Sequence, residues 1–275
     1  MRLLTIGGGG NVGFWVEKEF LKNDWEVFSN SRGTRKLKRV FQKSESKPEY
    51  IHCDIKAPNK KLLDLINRSD VIIDFICFNE QDALSRQNLL SNFKGQYILI
   101  STVAVYDRFE TLNILSSSSL CTQLQWEYAK RKYYAEQLLV QNTTPYQKKI
   151  LRLGHTFDIS LPVPFGPSDW TIPYRLLNSH HLLIHRKEGS IWPLLHASDA
   201  AKRIFMVAVN GKLFPTINNI VANETTSWHE IGSSLFEGLK LEPKFRYISP
   251  STLRAMHNYW SDSVFFHKRY DERYV

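Results

Sequence analysis

Residues 1–22 read MRLLTIGGGGNVGFWVEKEFLK, and this stretch decides the fold. A short apolar run, Met1 to Ile6, leads into Gly7, Gly8, Gly9 and Gly10, followed by Asn11, Val12 and Gly13. Phe14 to Lys22 then reads as a helix. Strand, glycine turn and helix in that order form a phosphate cradle, because backbone N–H groups at a helix start are unpaired and the helix dipole favours an anion there. Gly8, Gly10 and Gly13 fit GxGxxG, while Gly7, Gly10 and Gly13 fit GxxGxxG. One glycine permits the tight turn, a second lets the backbone approach a pyrophosphate, and Gly13 lets the helix pack closely on the strand. Gly7, Gly10, Asn11, Val12 and Gly13 are therefore the candidate cofactor-binding residues of this segment.

Downstream, apolar runs alternate with helical patterns. Strands are expected at Val27–Ser29, Tyr50–Cys53, Val71–Phe78, Tyr97–Ser101 and Ile150–Leu153. Helices are expected at Lys61–Asn67, Gln81–Phe93 and Glu127–Gln141. The strands are largely unbroken apolar runs, which is the pattern of a parallel sheet covered on both faces. After Gly154 the texture changes: Pro162, Pro164, Pro167, Pro173 and Pro193 interrupt a stretch of patchy periodicity. Ser198 reads as the N-cap of a helix over Asp199–Val209. Thr216–Val221 reads as a strand returning to the sheet, and Ser227 as the cap of a helix through Leu239. The expected architecture is α/β: a Rossmann-type doubly wound parallel sheet with a small C-terminal substrate lobe. Residues 1–154, with 195–223 returning, form the dinucleotide-binding domain; 155–194 and 224–275 form the lobe. Ser116–Ser119 reads as a mobile loop.

The chain has 275 residues, enough for one large domain or a domain with a small lobe. No apolar run approaches the roughly 20 residues that span a bilayer, and the glycine run follows too closely on the first strand for a signal peptide. Cys53, Cys77 and Cys121 are odd in number and lack CxxC spacing, so they read as reduced thiols of a cytoplasmic protein, with neither a disulfide frame nor a metal site. A net charge of +9 favours anionic ligands such as nucleotides. Its basic clusters, Arg35–Arg39 and Lys130–Lys132, lack the alternation of basic and aromatic residues that single-strand binding uses.

A second pattern carries the chemistry. Ser101-Thr102 ends a strand, and Tyr128-Ala129-Lys130-Arg131-Lys132 is YxxxK on a helix. Spacing of four puts Tyr128 and Lys132 on one face. A free tyrosine, with a pKa of about 10, is a poor base at neutral pH, and a nearby ammonium favours its phenolate. A hydroxyl from another element orients the substrate oxygen.

At this point the chain resembles the extended and atypical short-chain dehydrogenase/reductases, the group of nucleotide-sugar epimerases and dehydratases. The matching pieces are the loop Gly7–Gly13, Cys53-Asp54-Ile55, Ile100 to Tyr106, Tyr128 to Lys132 with Glu136, Leu151 to Gly154, Leu195 to Ala201 and the later segment Ile217 to Trp228. The resemblance implies that Tyr128 is the acid/base, that Lys132 binds the nicotinamide ribose and tunes Tyr128, and that Thr102 holds the reacting oxygen. It implies that Asp54 meets the adenine, and that His196 and Asp199 are structural. The implied cofactor is NAD(P), and the implied substrate is a nucleoside-diphosphate sugar, with Arg175 and Arg186 suited to its diphosphate. A homodimer is compatible with this reading.

Departures refine it. NAD-dependent members carry an acid at the end of the second strand for the ribose hydroxyls. Here the sequence is Phe28-Ser29-Asn30-Ser31-Arg32, and Arg32 suits a 2′-phosphate, which tilts the reading toward NADP. The sugar dehydratases carry Asp and Glu directly after the active-site threonine; Val103 and Ala104 follow Thr102, which argues against a 4,6-dehydratase. Asp74-Phe75-Ile76-Cys77 stands where many relatives have small residues beside the cofactor. That resembles the atypical branch, and the alternative is a non-catalytic NAD(P)-sensing or RNA-binding protein with a basic tail (Lys244, Arg246, Arg254, Lys268, Arg269, Arg273). The intact Tyr128–Lys132 pair counts against it.

Overall fold

A computed structural model describes residues 1–34, 40–106, 127–159, 171–184, 191–192 and 194–249. Outside them lie the basic cluster Arg35–Arg39, the serine run Ser116–Ser119, Cys121, Pro162, Pro164, Pro167, Pro193, Arg186 and the basic tail residues Arg254, Lys268, Arg269 and Arg273. The elements run β1 (Arg2–Ile6), α1 (Asn11–Lys22), β2 (Glu26–Ser31), β3 (Glu49–His52), α2 (Lys60–Arg68), β4 (Val71–Asp74), α3 (Glu80–Leu89), β5 (Gln96–Thr102), α4 (Glu127–Gln141) and β6 (Gln147–Leu153). They continue β7 (His155–Phe157), α5 (Thr171–Leu177), β8 (Leu182–Ile184), β9 (Ile191–Trp192), β10 (Leu194–His196), α6 (Ala197–Val209), β11 (Ile217–Ile220), β12 (Thr226–Ser227), α7 (Trp228–Gly238) and β13 (Phe245–Tyr247).

The chain divides into two compact units: Met1–Ile159 with Leu195–Val221, and Ser160–Leu194 with Ala222–Val275. The first contains a seven-stranded sheet in the order β3-β2-β1-β4-β5-β6-β11. Every pair is parallel. This is the Rossmann-like α/β fold that the apolar runs predict. The unit extends past the change of texture at Gly154 because β7 pairs with β10.

Burial on both faces explains the unbroken apolar strands. Val71, Ile72, Ile73 and Asp74 of β4 are all buried. Leu4, Ile6, Ile72, Leu99 and Ile150 form one face of the core with Leu62 and Ile66 of α2, Ala83 of α3 and Leu139 of α4. On the other face α1 packs on α6, where Phe20 and Phe205 meet edge-on at 4.9 Å. Register brings Ile6 level with Asn30 on β2 and with Asp74 on β4. The carboxyl ends of the central strands therefore line up at the point where strand order reverses, the crevice where open α/β sheets take ligands.

Of the boundaries that differ from expectation, three have a visible local cause. The apolar run Val71–Phe78 stops being strand at Asp74, whose Oδ1 accepts from Ile76 N at 2.8 Å and turns the chain. The helix expected over Gln81–Phe93 is α3, with Asn79 capping its start by accepting from Asp82 N and Leu90 closing its end. The N-cap of α6 is His196, not Ser198, because the imidazole Nδ1 accepts from Ser198 N at 3.2 Å and so satisfies a first-turn donor.

The second unit has its own core of Ile172, Leu176, Leu182, Ile184, Trp228 and Phe236. Ser227 and Glu230 form a capping box at the start of α7. His180 and His181 are exposed.

Asp74, at the end of β4, is committed to neighbours on α3 and β5. Its Oδ2 accepts from Arg86 Nε of α3 at 2.6 Å and from Tyr97 Oη of β5 at 3.1 Å. The ion-paired side chains are 1% and 0% exposed, and a buried charge without its partner is far costlier than the pair. Asp74→Ala is expected to cost about 3–5 kcal/mol in urea unfolding, and Asp74→Leu combined with Arg86→Met much less. Equal losses for the single and double variants would contradict a paired-charge role.

Candidate active site

The glycine loop is shaped by three different constraints. Gly7 has φ +78°, in the left-handed region that side chains rarely adopt, and a Cβ there would lie 2.4 Å from Ile76 Cγ2. Gly13 lies in α1, where a Cβ would come within 2.1 Å of the Gly8 carbonyl oxygen, so the helix rests directly on loop backbone. Gly10 is the N-cap of α1 in extended conformation, and a Cβ there would meet nothing within 4 Å. No side chain caps this helix. The N–H groups of Asn11, Val12 and Gly13 have no intrahelical acceptor, the first such bond being Phe14 N to Gly10 O at 3.0 Å. Asn11 Oδ1 is buried without a hydrogen-bond partner among the described residues. Unpaired donors, open space over Gly10 and an orphaned polar atom together fit the pyrophosphate of a dinucleotide.

At the end of β2 the polar residues are occupied. Asn30, buried, donates through Nδ2 to Ile51 O at 3.1 Å and Cys53 O at 3.0 Å. Ser31 Oγ accepts from Gly33 N at 3.3 Å. Arg32 is exposed. Asp54 is exposed in the loop after β3 and accepts from Lys56 N at 2.9 Å, an Asx turn that leaves its second oxygen uncommitted among the described residues.

The YxxxK residues lie on α4, with contrasting exposure. Tyr128 is 38% exposed and Lys132 only 2%. Lys132 is therefore not on a solvated face. Its ammonium donates to Cys77 O at 2.8 Å, just beyond β4, and to Ile100 O of β5 at 2.7 Å. The Phe78 ring lies 5.3 Å below it. Burial pulls the ammonium below the usual lysine range, and neighbouring groups, among them Asp74 and Glu136, oppose that shift. One turn further, Glu136 accepts from Ser101 Oγ of β5 and is paired with Arg152 of β6, Nη2 to Oε2 at 2.6 Å. The Arg152 guanidinium lies 4.7 Å over the Tyr106 ring, whose Oη donates to Asn219 Oδ1 of β11 at 2.8 Å. Thr102, at the end of β5, accepts through Oγ1 from Ala104 N at 3.2 Å, which fixes the short 3₁₀ turn Val103–Val105.

Tyr128, Lys132 and Glu136 thus form one stripe of α4, and the last two moor it to consecutive residues of β5. The YxxxK spacing points to the first two. The Ser101–Glu136–Arg152 chain is not evident from spacing; its signal is Arg152 itself, a charge within the apolar run Ile150–Leu153 that burial obliges to find a partner.

No family model matches the sequence, and no curated protein does. Solved structures match its fold. A UDP-glucose 4-epimerase from Thermus thermophilus, in complex with NAD, covers 94% of this chain and 93% of its own at a TM-score of 0.69, with 14% identity. MoeE5 in complex with UDP-glucose and NAD covers 92% and 86% at a TM-score of 0.70, with 18% identity. TunA, an NAD-dependent NDP-hexosamine 5,6-dehydratase, covers 93% and 90% at 0.68, with 14% identity. The chain has the fold of the nucleotide-sugar epimerases and dehydratases.

His196 Nε2 is 3.4 Å from Asp158 Oδ1, and its ring meets Trp15 and Phe157. No cluster of three or more metal-ligating side chains occurs among the described residues. A cavity of about 780 Å³, lined by Arg68, Asp70, Lys94, Gln96, Gln147 and Lys212, opens at the opposite, amino end of β4, β5 and β6. No described helix is long and apolar enough to cross a membrane.

The two glycines give a paired prediction. Gly13→Ala drives a methyl into the Gly8 backbone and is expected to lower the melting temperature and abolish dinucleotide binding. Gly10→Ala has room and an ordinary φ of −89°, so it should melt like the wild type. Its methyl would still crowd the cradle and weaken binding by at least roughly tenfold, about 1.4 kcal/mol. Calorimetric titration beside thermal melts measures both.

Proposed function

We propose that the chain is an NAD(P)-dependent epimerase or reductase. Its substrate would be a hydroxyl or keto group of a nucleoside-diphosphate sugar, with Tyr128 as acid/base. The observation that carries this reading is the stripe of α4, which presents an exposed phenol one turn from a buried, anchored ammonium. The fold it shares with NAD-bound nucleotide-sugar epimerases supports the same class.

The residues divide the work as follows. Gly7, Gly10 and the N–H groups of Asn11, Val12 and Gly13 hold the pyrophosphate, and Asp54 meets the adenine. When bound, the nicotinamide supplies the hydride acceptor or donor. Lys132 has three N–H bonds, of which Cys77 O and Ile100 O take two; the third is left for the nicotinamide ribose. Its charge stabilises the Tyr128 phenolate, so that Tyr128 takes the hydroxyl proton when the sugar is oxidised and returns it on reduction. Thr102 Oγ1 accepts from Ala104 N, which frees its hydroxyl hydrogen to hold the reacting oxygen. Val103 and Ala104 are buried and carry no ionisable group, so they offer no acid or base for a 4,6-elimination. In the second unit, Arg175 of α5 donates to His181 O at 3.4 Å.

The preference for NADP rests on Arg32 together with the missing carboxylate at the end of β2. Arg32→Ala should weaken NADP binding about tenfold or more and leave NAD unaffected. Equal effects on both would remove the 2′-phosphate contact. For the chemistry, Tyr128→Phe should retain dinucleotide binding and lose about 10²–10⁴ in turnover on a panel of UDP-sugars. Full activity in that variant would rule out Tyr128 as the acid/base.

A further inference from the structure

Beneath the glycine loop lies a carboxyl group that the mechanism above does not use. Glu17 of α1 is 2% exposed and points at the sheet. Its Oε1 accepts from Thr5 Oγ1 of β1 at 2.6 Å, and Ser29 of β2 supplies a second hydroxyl. A Cβ on Gly8 would fall 2.0 Å from Glu17 Oε1 and 2.4 Å from Thr5 Oγ1. The carboxyl therefore sits against the α-carbon of Gly8, which explains why that position is glycine although its φ does not demand one. Gly8 in turn carries the carbonyl on which Gly13 rests. A single layer of backbone separates Glu17 from the N–H groups of the cradle.

We propose that Glu17 is a proton-linked determinant of dinucleotide affinity: its carboxyl is neutral when the loop above it holds a pyrophosphate, and binding draws a proton onto it. The inference rests on the dinucleotide reading of the loop. Two negative charges in the cradle and an ionised carboxylate behind it repel across a single layer of backbone, and the buried position of Glu17 leaves that repulsion weakly screened.

No cation stands by to relieve that repulsion among the described residues. The groups that face Glu17 from the sheet are the hydroxyls of Thr5 and Ser29 and the phenol of Tyr50 on β3, which burial and the Glu17 charge both raise. His52 stacks on Tyr50 at 6.5 Å. On α1, Lys18 is paired with Glu45 at 2.6 Å. On the packed α6, Lys202 is paired with Asp199 at 2.9 Å, Arg203 donates to Val221 O, and His196 caps the helix against Trp15. Burial accordingly lifts the Glu17 carboxyl to about 7, the two hydroxyls opposing it. The free protein then holds this proton only in part at neutral pH, and an anion in the cradle raises its hold.

The test is titration calorimetry with NAD, chosen because the 2′-phosphate of NADP itself titrates near pH 6. Measurements at pH 6 and pH 8, in buffers of different ionisation enthalpy, give both affinity and proton uptake. The wild type is expected to bind roughly five- to tenfold more weakly at pH 8, and to take up about half a proton near pH 7.5. Glu17→Gln is expected to show a flat affinity and no uptake. Equal pH slopes in the two proteins, or no uptake by the wild type, would overturn the proposal. The uptake measurement stands alone if Glu17→Gln does not fold. Failure of both proteins to bind NAD and NADP at any pH would overturn the dinucleotide reading, and this inference with it.

A second readout needs no nucleotide. A folded-state pKa raised from 4.5 to about 7 means that the folded protein keeps a proton the unfolded chain gives up. Stability is then greatest below pH 4.5 as far as this group is concerned, and is lost as pH rises through about 7. Urea unfolding should show that decline in the wild type and its absence in Glu17→Gln. Parallel profiles would show that Glu17 does not titrate in this range and would also overturn the proposal.

Discussion

Lys132 buries an ammonium, and a buried ammonium must find lone pairs. It finds them on Cys77 O, in the loop just beyond β4, and on Ile100 O of the neighbouring β5, near its carboxyl end. Glu136, one turn on, is held by Ser101 and Arg152. Two charges on one helix face thereby fix both the rotation and the height of α4 against the sheet. A helix held only by apolar contacts can slide by fractions of a turn at little cost. One held by two buried charges cannot, because each displacement strands a charge in a medium that does not solvate it. The position of Tyr128 follows from this mooring, and so does the place of Thr102, which extends the same strand that receives both anchors.

The other half of the crevice is governed by closeness and not by charge pairing. Gly8, Gly10 and Gly13 stand in three separate settings: clearance for a carboxyl below, open space above, and contact between helix and loop. The loop is thin in the sense that whatever lies behind it is felt in front of it. A chain that places an apolar residue at position 17 would have a cradle of the same shape and a different charge response.

The sheet was legible because burial on both faces writes itself as unbroken apolar runs, and the strand–glycine–helix order at residues 1–22 specifies where the crevice opens. Local signals also served at Ser227, whose partner Glu230 is three residues away. They failed where the deciding partner is distant in sequence. Val71–Phe78 looked like one strand because nothing nearby reveals that Asp74 turns the chain and pairs with Arg86, on the helix that follows. Ser198 looked like a cap because serine is a common one, whereas the imidazole of His196 took that role. The stripe of α4 was half legible: spacing gave Tyr128 and Lys132, but the carbonyls that receive Lys132 lie 32 and 55 residues away, on β5 and in the loop after β4.

Asn30 has a consequence for redesign and for the divergence of this fold. Its amide is a staple between the second and third strands, reaching Ile51 O and Cys53 O across the edge of the sheet. An aspartate here would present acceptors to acceptors and loosen the edge strand, so the simplest route to a ribose-binding acid is closed at this position. A ribose-binding acid introduced into this sheet would have to stand one or two residues later, at Ser31 or Arg32, where the backbone has no claim on the side chains as donors.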